Sequence, residues 1–310
     1  MSDGSVLFHI GLHKSASSAL QNYFFVPEHG FAQNGGRDWI LNTYVNKFST
    51  EGLSQTEKSQ LNSFVTNAYA QNLLPVASHE RLSGYPLTGG MDRDSILRRI
   101  RRSGQKVKIL LVIREQKKWL YSAWKQMIWD GASIDLEDFL EPPYAPANMR
   151  FPRPNLHFID YGAFVAELHH LFGKKNVCVV PVELIAIDFP KFQNDLYQFL
   201  DHQQLQKLKK LEIKNHSKNL SSIYMMKLLN KYFLRSNILD CGLVNTHSVS
   251  GKKLRNASTR IALLAPKIKA FDSLESKHQK IIRQFVGDRY DKSNKQASKL
   301  INIDLSQFGY

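Results

Sequence analysis

The segment Gly11-Leu12-His13-Lys14-Ser15-Ala16-Ser17-Ser18 places one lysine among small and hydroxyl-bearing residues. It follows the apolar run Val6 to Ile10 and precedes a helical pattern that starts at Ala19. Small residues let successive backbone N–H groups converge on one anion, and a helix start adds unsatisfied donors and partial positive charge. Lys14 adds a full charge, and the hydroxyls of Ser15, Ser17 and Ser18 add donors. This is the chemistry of phosphate or sulfate binding. A Walker loop needs glycines six positions and one position before its lysine, and Phe8 and His13 stand there instead. A Mg²⁺-dependent NTPase also needs a carboxylate at a neighbouring strand end, whereas the run Val107 to Ile113 ends in Arg114. A cation there suits a second anion rather than a metal. An N-capped helix with an incidental lysine is the plain structural alternative.

Ser122 follows Arg114 by eight residues, on the helix after that strand. A guanidinium grips a phosphate bidentately, and a hydroxyl one or two turns into the next helix adds a third bond. Taken alone, the pair reads equally as a salt-bridged arginine and a solvent-facing serine. Taken with the first loop, two anion sites at strand ends imply a ligand with separated anionic groups.

The run Ile10 to Gln21 resembles the 5′-phosphosulfate loop of the sulfotransferases that use 3′-phosphoadenosine 5′-phosphosulfate (PAPS). The run Val112 to Gln126 resembles their 3′-phosphate motif, an Arg and a Ser eight apart. Ser78-His79-Glu80-Arg81-Leu82-Ser83 is similar to the Ser-x-Glu-x-Leu-Ser segment of bacterial, carbohydrate-type members. Looser similarities are Asp160-Tyr161, Phe172-Gly173, Val182-Glu183-Leu184 and the ending Asp304 to Tyr310. The loop departs from the usual Lys-Thr-Gly-Thr-Thr/Ser: Ala16 replaces glycine, and Ser15 and Ser17 replace threonine. The hydroxyl donors survive, and Ala16 is expected to fit only if its position does not require a positive φ.

The resemblance implies a cofactor site of Gly11, His13, Lys14, Ser15, Ala16, Ser17, Ser18, Arg114 and Ser122, holding PAPS and releasing PAP, with no metal required. It implies Lys14 as the stabiliser of the leaving phosphate and Glu80 as general base. His79 is the alternative base, because an imidazole's ordinary pKa suits the task. A surface pair of Glu80 with Arg81 is the structural alternative. The acceptor is expected to be a hydroxyl, or an amine, of a sugar or glycan. Lys252, Lys253 and Arg255 form either a basic loop over the site or a solvated loop.

Short apolar strands alternate with helical patterns of 10–15 residues as far as Leu200, which calls for a P-loop-like parallel sheet flanked by helices. The strands read as Val6 to Ile10, Leu73 to Ser78, Val107 to Ile113 and Val177 to Val182. The helices read as Gln55 to Gln71, Asp94 to Arg102, Lys117 to Trp129, Tyr161 to Phe172 and Phe192 to Leu200. Gly30 to Leu53 reads as loop, the proline-crowded segment Pro142 to Pro154 as a long surface loop, and Asn245 to Thr259 as a mobile loop. From Leu205 onward the chain is Lys-rich and helical, without a convincing strand. One domain is expected over 1–310: an α/β cofactor-binding core over 1–204 and a helical extension over 205–310 that covers the site.

The 310 residues carry 42 Lys+Arg against 27 Asp+Glu, a formal charge of +15. That excess predicts an anionic partner. Arg98 to Arg102 and Lys207 to Lys214 leave a non-catalytic polyanion-binding protein as one alternative, and a nucleotide-dependent kinase as another. No zinc-finger spacing or RNP-like aromatic motif favours nucleic acid, and an acidic glycan acceptor fits the surplus charge. Two cysteines, Cys178 and Cys241, make no disulfide framework. Cys178 reads as a buried inert thiol, and Trp119 and Trp124 read as helix packing. No apolar stretch reaches the length of a membrane span, and the expected location is cytoplasmic.

Overall fold

The computed structural model describes residues 4–34, 36–47, 52–86, 90–141, 156–202, 218–235, 244–245, 249–266 and 268–310. In chain order the elements begin β1 (Ser5–His9), α1 (Ser17–Tyr23), β2 (Phe31–Gln33), α2 (Arg37–Ile40), α3 (Gln55–Ala70), β3 (Leu74–Ser78), α4 (Arg93–Arg101) and β4 (Lys106–Ile113). They continue through α5 (Gln116–Trp129), α6 (Leu136–Leu140), α7 (Tyr161–Phe172), β5 (Val177–Pro181), α8 (Val182–Ile187) and α9 (Phe189–Leu200). The last are α10 (Leu220–Tyr232), β6 (Leu234–Arg235), β7 (Val244–Asn245), α11 (Val249–Leu263), α12 (Ala270–Val286) and α13 (Asp291–Ile301).

The chain divides into two compact units. The first comprises Met1–Glu115, Asn155–Asn215 and Tyr290–Tyr310; the second comprises Gln116–Pro154 and His216–Arg289. The first unit holds a five-stranded sheet in the order β2-β3-β1-β4-β5, and every pairing is parallel. Parallel strands covered on both faces are apolar throughout, and all five residues of β1 and of β3 are buried. Alternation along β4 divides the core. Leu110 and Val112 join Leu7, Phe24, Phe31, Phe192 and Leu196 on the face covered by α1, α8 and α9. On the opposite face Phe8 meets Tyr44 edge to face at 5.4 Å, and α7 packs on β4 and β5. α13 returns to pack against α7. The Gly162 N–H donates to Ser293 Oγ at 2.9 Å, and that hydroxyl donates to Asp160 at 2.6 Å.

In the second unit α10 and α12 pack against α5. Trp119 and Trp124 are buried there as core, with the Trp124 ring 5.1 Å from His278.

Two segments differ from their sequence reading. Gly30 to Leu53, read as loop, contains β2, α2 and a π-helical turn over Leu41–Val45. A three-residue strand is too short to show alternation, and the helix is fixed by the burial of Ile40 and Tyr44. Asn245 to Thr259, read as a mobile loop, runs into α11. The small residues Gly251, Ser258 and Ala262 recur at helical spacing and are buried, so a polar composition still supports a packed helix face. The segments Pro142 to Pro154 and Lys207 to Lys214, and Cys241, lie outside the described residues. Among the described residues, no helix is long and apolar enough to cross a membrane.

Candidate functional site

In the first unit β1 lies between β3 and β4, with His9 in register with Ser78 on one side and Leu110 on the other. From β1 the chain runs outward to β2, returns through β3 and then crosses to β4. Strand order therefore reverses at β1, the place where parallel sheets open a ligand crevice beyond their carboxyl ends. The loop Gly11 to Ser18, the turn His79 to Arg81 and Arg114 follow these three adjacent strands.

Pairing continues past the end of β1. The Ile10 and Leu12 N–H groups donate to Leu110 and Val112 carbonyls at 3.0 and 2.7 Å, and the Val112 N–H donates to Gly11 O at 2.6 Å. Gly11 has φ +87°, and a Cβ there would stand 2.8 Å from Glu80 Cα. The first loop and the Glu80 turn therefore meet backbone to backbone. Gly11→Ala combines a left-handed backbone penalty with overpacking, and is expected to cost about 2–4 kcal/mol. Urea denaturation checks this; a loss below about 0.5 kcal/mol would show that the two segments do not abut.

Within the loop, Lys14 (φ 64°) and Ala16 (φ 62°) are left-handed, and Ser15 between them is not. The condition set for Ala16, a position that does not require a positive φ, is therefore not met, and alanine occupies a left-handed backbone there. Its Cβ costs roughly 1–2 kcal/mol in that conformation. The alternation in handedness is what turns successive N–H groups into an anion-binding concavity. Ser15 is fully buried, and its Oγ has no hydrogen-bond partner. Ser17 Oγ donates to Leu12 O at 3.2 Å, and Lys14 and Ser18 are exposed. Arg114 Nη1 donates to Lys14 O at 2.7 Å, joining the end of β4 to the loop. A guanidinium has five N–H donors, so this bond does not exhaust it.

The turn after β3 is a 3₁₀ helix over Glu80–Ser83. His79 caps it: its Nδ1 accepts from the Arg81 N–H at 3.0 Å. An Nδ1 that accepts is unprotonated, so the neutral ring carries its proton on Nε2. Ser83 Oγ donates to Glu80 O at 2.9 Å. Arg81 pairs with Asp92 at 3.1 Å and lies 4.5 Å from the Tyr85 ring centroid, so its ion pair in this structure is not with Glu80. Burial pushes the Glu80 carboxyl up, but His79, His13, its own N–H and Arg37 outweigh burial and hold it below the usual carboxylate range. Burial lowers His79 and lowers His13 to about 4. The site therefore presents an ionised carboxylate beside neutral imidazoles at neutral pH.

His9 lies under this surface, fully buried, with Nδ1 2.7 Å from Ser78 Oγ. Burial lowers its pKa to about 4. Between pH 6.5 and 4 the unfolded chain binds a proton at this histidine that the folded chain refuses, so stability falls as pH falls. The window corresponds to about 3 kcal/mol from His9 alone. Urea titrations at pH 7 and pH 4.5 check this: His9→Gln should flatten the dependence, and an unchanged slope in that variant would refute the assignment.

Residues with looser sequence similarity converge on the backbone of Arg114. Tyr161 Oη donates to Arg114 O at 2.5 Å. The Glu115 N–H donates to Glu183 at 3.3 Å, and Tyr310 Oη donates to the same carboxylate at 2.9 Å. The Tyr161 and Tyr310 rings are 5.9 Å apart. These groups hold the strand end from which Arg114 projects. Ser122 lies on α5 of the second unit and is partly exposed.

Sequence reading missed Arg37, which acts electrostatically on His79 and Glu80, and Tyr85 and Asp92, which hold Arg81. None belongs to a short motif, and Arg37 falls in the segment read as loop. The run Arg98 to Arg102 is not one solvated face: Arg98 pairs with Asp94 at 2.8 Å, whereas Arg99 is buried and donates to Tyr44 O.

No protein-family model matches the chain, and no curated protein sequence matches it. Among solved structures it is similar to the "Crystal Structure of Sulfotransferase from Alicyclobacillus acidocaldarius", with a TM-score of 0.54, 13% identity and 98% of each chain covered. A likeness at that identity establishes the fold: a five-stranded parallel sheet flanked by helices, of the kind seen in that sulfotransferase.

Proposed function

We propose that the chain is a PAPS-dependent sulfotransferase acting on a hydroxyl of a sugar or glycan. The observation that carries this is the meeting, at three adjacent strand ends, of the Lys14–Ala16 cradle, Glu80 and Arg114. The shared fold with a sulfotransferase supports the same reading.

The residues suit the cofactor. A buried serine hydroxyl without a partner and a backbone that alternates in handedness match an oxyanion group. Lys14, the loop amides and Ser15 would hold the 5′-phosphosulfate end, and the remaining Arg114 donors would hold the second phosphate. When bound, PAPS supplies a sulfuryl group already activated as a mixed anhydride with phosphate. Lys14 brings a full positive charge to the cradle, where charge developing on a departing phosphate is stabilised without reorganisation. Glu80 takes the acceptor's proton at its carboxylate. His79 is the poorer base, because Nδ1 already accepts from Arg81 and Nε2 carries the proton.

Incubation with sulfur-labelled PAPS and a panel of neutral and acidic glycans tests this. The expected result is label on at least one hydroxyl-bearing acceptor. Absence of label from every hydroxyl and amine offered would count against the proposal.

A further inference from the structure

The surplus charge of the chain is concentrated in one stretch. Residues 218–269 contain ten Lys+Arg and a single acid, Asp240, so +9 of the +15 lies within 52 residues. The same stretch holds nine of the eleven large apolar side chains that stand exposed among the described residues. Monomeric surfaces rarely gather exposed apolar groups in this way.

The second unit's helices order both features. α11 packs against α10, with Gly251, Ser258 and Ala262 on its buried side. On its open side Leu254 and Ile261 recur at helical spacing, Leu264 follows just past its end, and Lys253 and Arg260 border them, all exposed. α10 exposes Met225, Leu228 and Tyr232 at the same spacing. Some cations of the stretch turn inward: Lys227 pairs with Asp135, Arg255 donates to Trp129 O, and Lys218 lies over the Trp129 ring. Lys231, Lys252, Lys253, Arg260 and Lys269 stand exposed.

We infer that the α10–α11 face docks the protein peripherally on an anionic lipid surface. A helix face that is apolar with basic borders binds at the headgroup–acyl boundary, where both kinds of side chain are satisfied. A nucleic acid or acidic glycan would use the cations but leave the leucine and isoleucine side chains in water. A second copy would bring +9 against +9. Among the described residues, no helix is long and apolar enough to cross a membrane, so the attachment is to the surface. The inference is independent of the assignment of Lys14 and Glu80.

Cosedimentation of the full chain with vesicles tests it. Vesicles of 70:30 phosphatidylcholine and phosphatidylglycerol should bind the protein, and pure phosphatidylcholine should bind it far more weakly. Raising salt from 0.1 to 0.5 M should release it. The triple variant Lys252→Gln, Lys253→Gln, Arg260→Gln should lower partitioning about 100-fold, at about fivefold per charge. The variant Leu254→Ser, Ile261→Ser should lower it about tenfold or more. Both variants should keep the wild-type melting temperature within a few degrees. Equal binding to neutral and anionic vesicles, or none to either, overturns the proposal. So does loss of vesicle binding in the charge variant alone, which would mark a polyanion site. Concentration-dependent dimers that the leucine–isoleucine variant abolishes, with vesicle binding intact, would make the face a self-interface.

Discussion

Lys14→Ala is expected to lower kcat by 10²- to 10³-fold while the fold persists. The magnitude follows from the loss of one preorganised electrostatic group facing charge that develops in the transition state. Lys14 is exposed, so truncation carries the small stability change typical of surface sites. Alanine keeps the Cβ that already occupies the left-handed backbone at this position, so the cradle survives. The loss should therefore appear in kcat more than in KM, because the amides and Ser15 still bind the ground state. Single-turnover rates with labelled PAPS, beside circular-dichroism melts, check the result. A kcat within a few-fold of wild type would remove Lys14 from the mechanism.

Glu80→Gln should cost a comparable amount, 10²- to 10⁴-fold in kcat, since the amide keeps the shape and loses the base. The Glu80 carboxyl lies below the usual carboxylate range despite its burial. The wild-type rate should accordingly stay flat through neutral pH as far as this group governs it. It should fall only as acid protonates the carboxylate, below the ordinary glutamate value of about 4.5. His79→Ala should cost no more than about tenfold. It removes a cap from the Glu80–Ser83 turn, worth about 1 kcal/mol, but no proton acceptor. Full activity in Glu80→Gln with an inactive His79→Ala would reverse the assignment.

The parts of the fold that were legible in sequence are those with local causes. β1, β3, β4 and β5 are each built around a short apolar run, and helices such as α5 and α7 carry their own stripes, so their extents lie within a few residues of the sequence reading. The cradle was legible because lysine and three serines sit in eight residues. Its backbone handedness was not, because φ at Ala16 is imposed by the loop's closure onto β4 and the Glu80 turn, not by alanine's own preference. β2 and α2 were illegible for a similar reason. They are short, and the contact of Tyr44 with Phe8 spans 36 residues of chain. α11 was obscured by composition: glycine, serine and alanine suggest a loop until a neighbouring helix is there to pack against.

The proximity of the functional groups depended on topology. Glu80 adjoins Gly11 only because β3 pairs with β1, and Arg114 reaches Lys14 only because β4 pairs on the other side. Neither neighbour relation is written in the motifs themselves.

The most direct test of the central claim is calorimetric titration with PAP, the product PAPS leaves, against the wild-type chain and Arg114→Ala. The wild-type chain should show one saturable site, weakened in the variant about 10- to 100-fold by loss of the charge-assisted guanidinium bonds. No PAP binding at millimolar concentration, or equal affinity in Arg114→Ala, would contradict that claim.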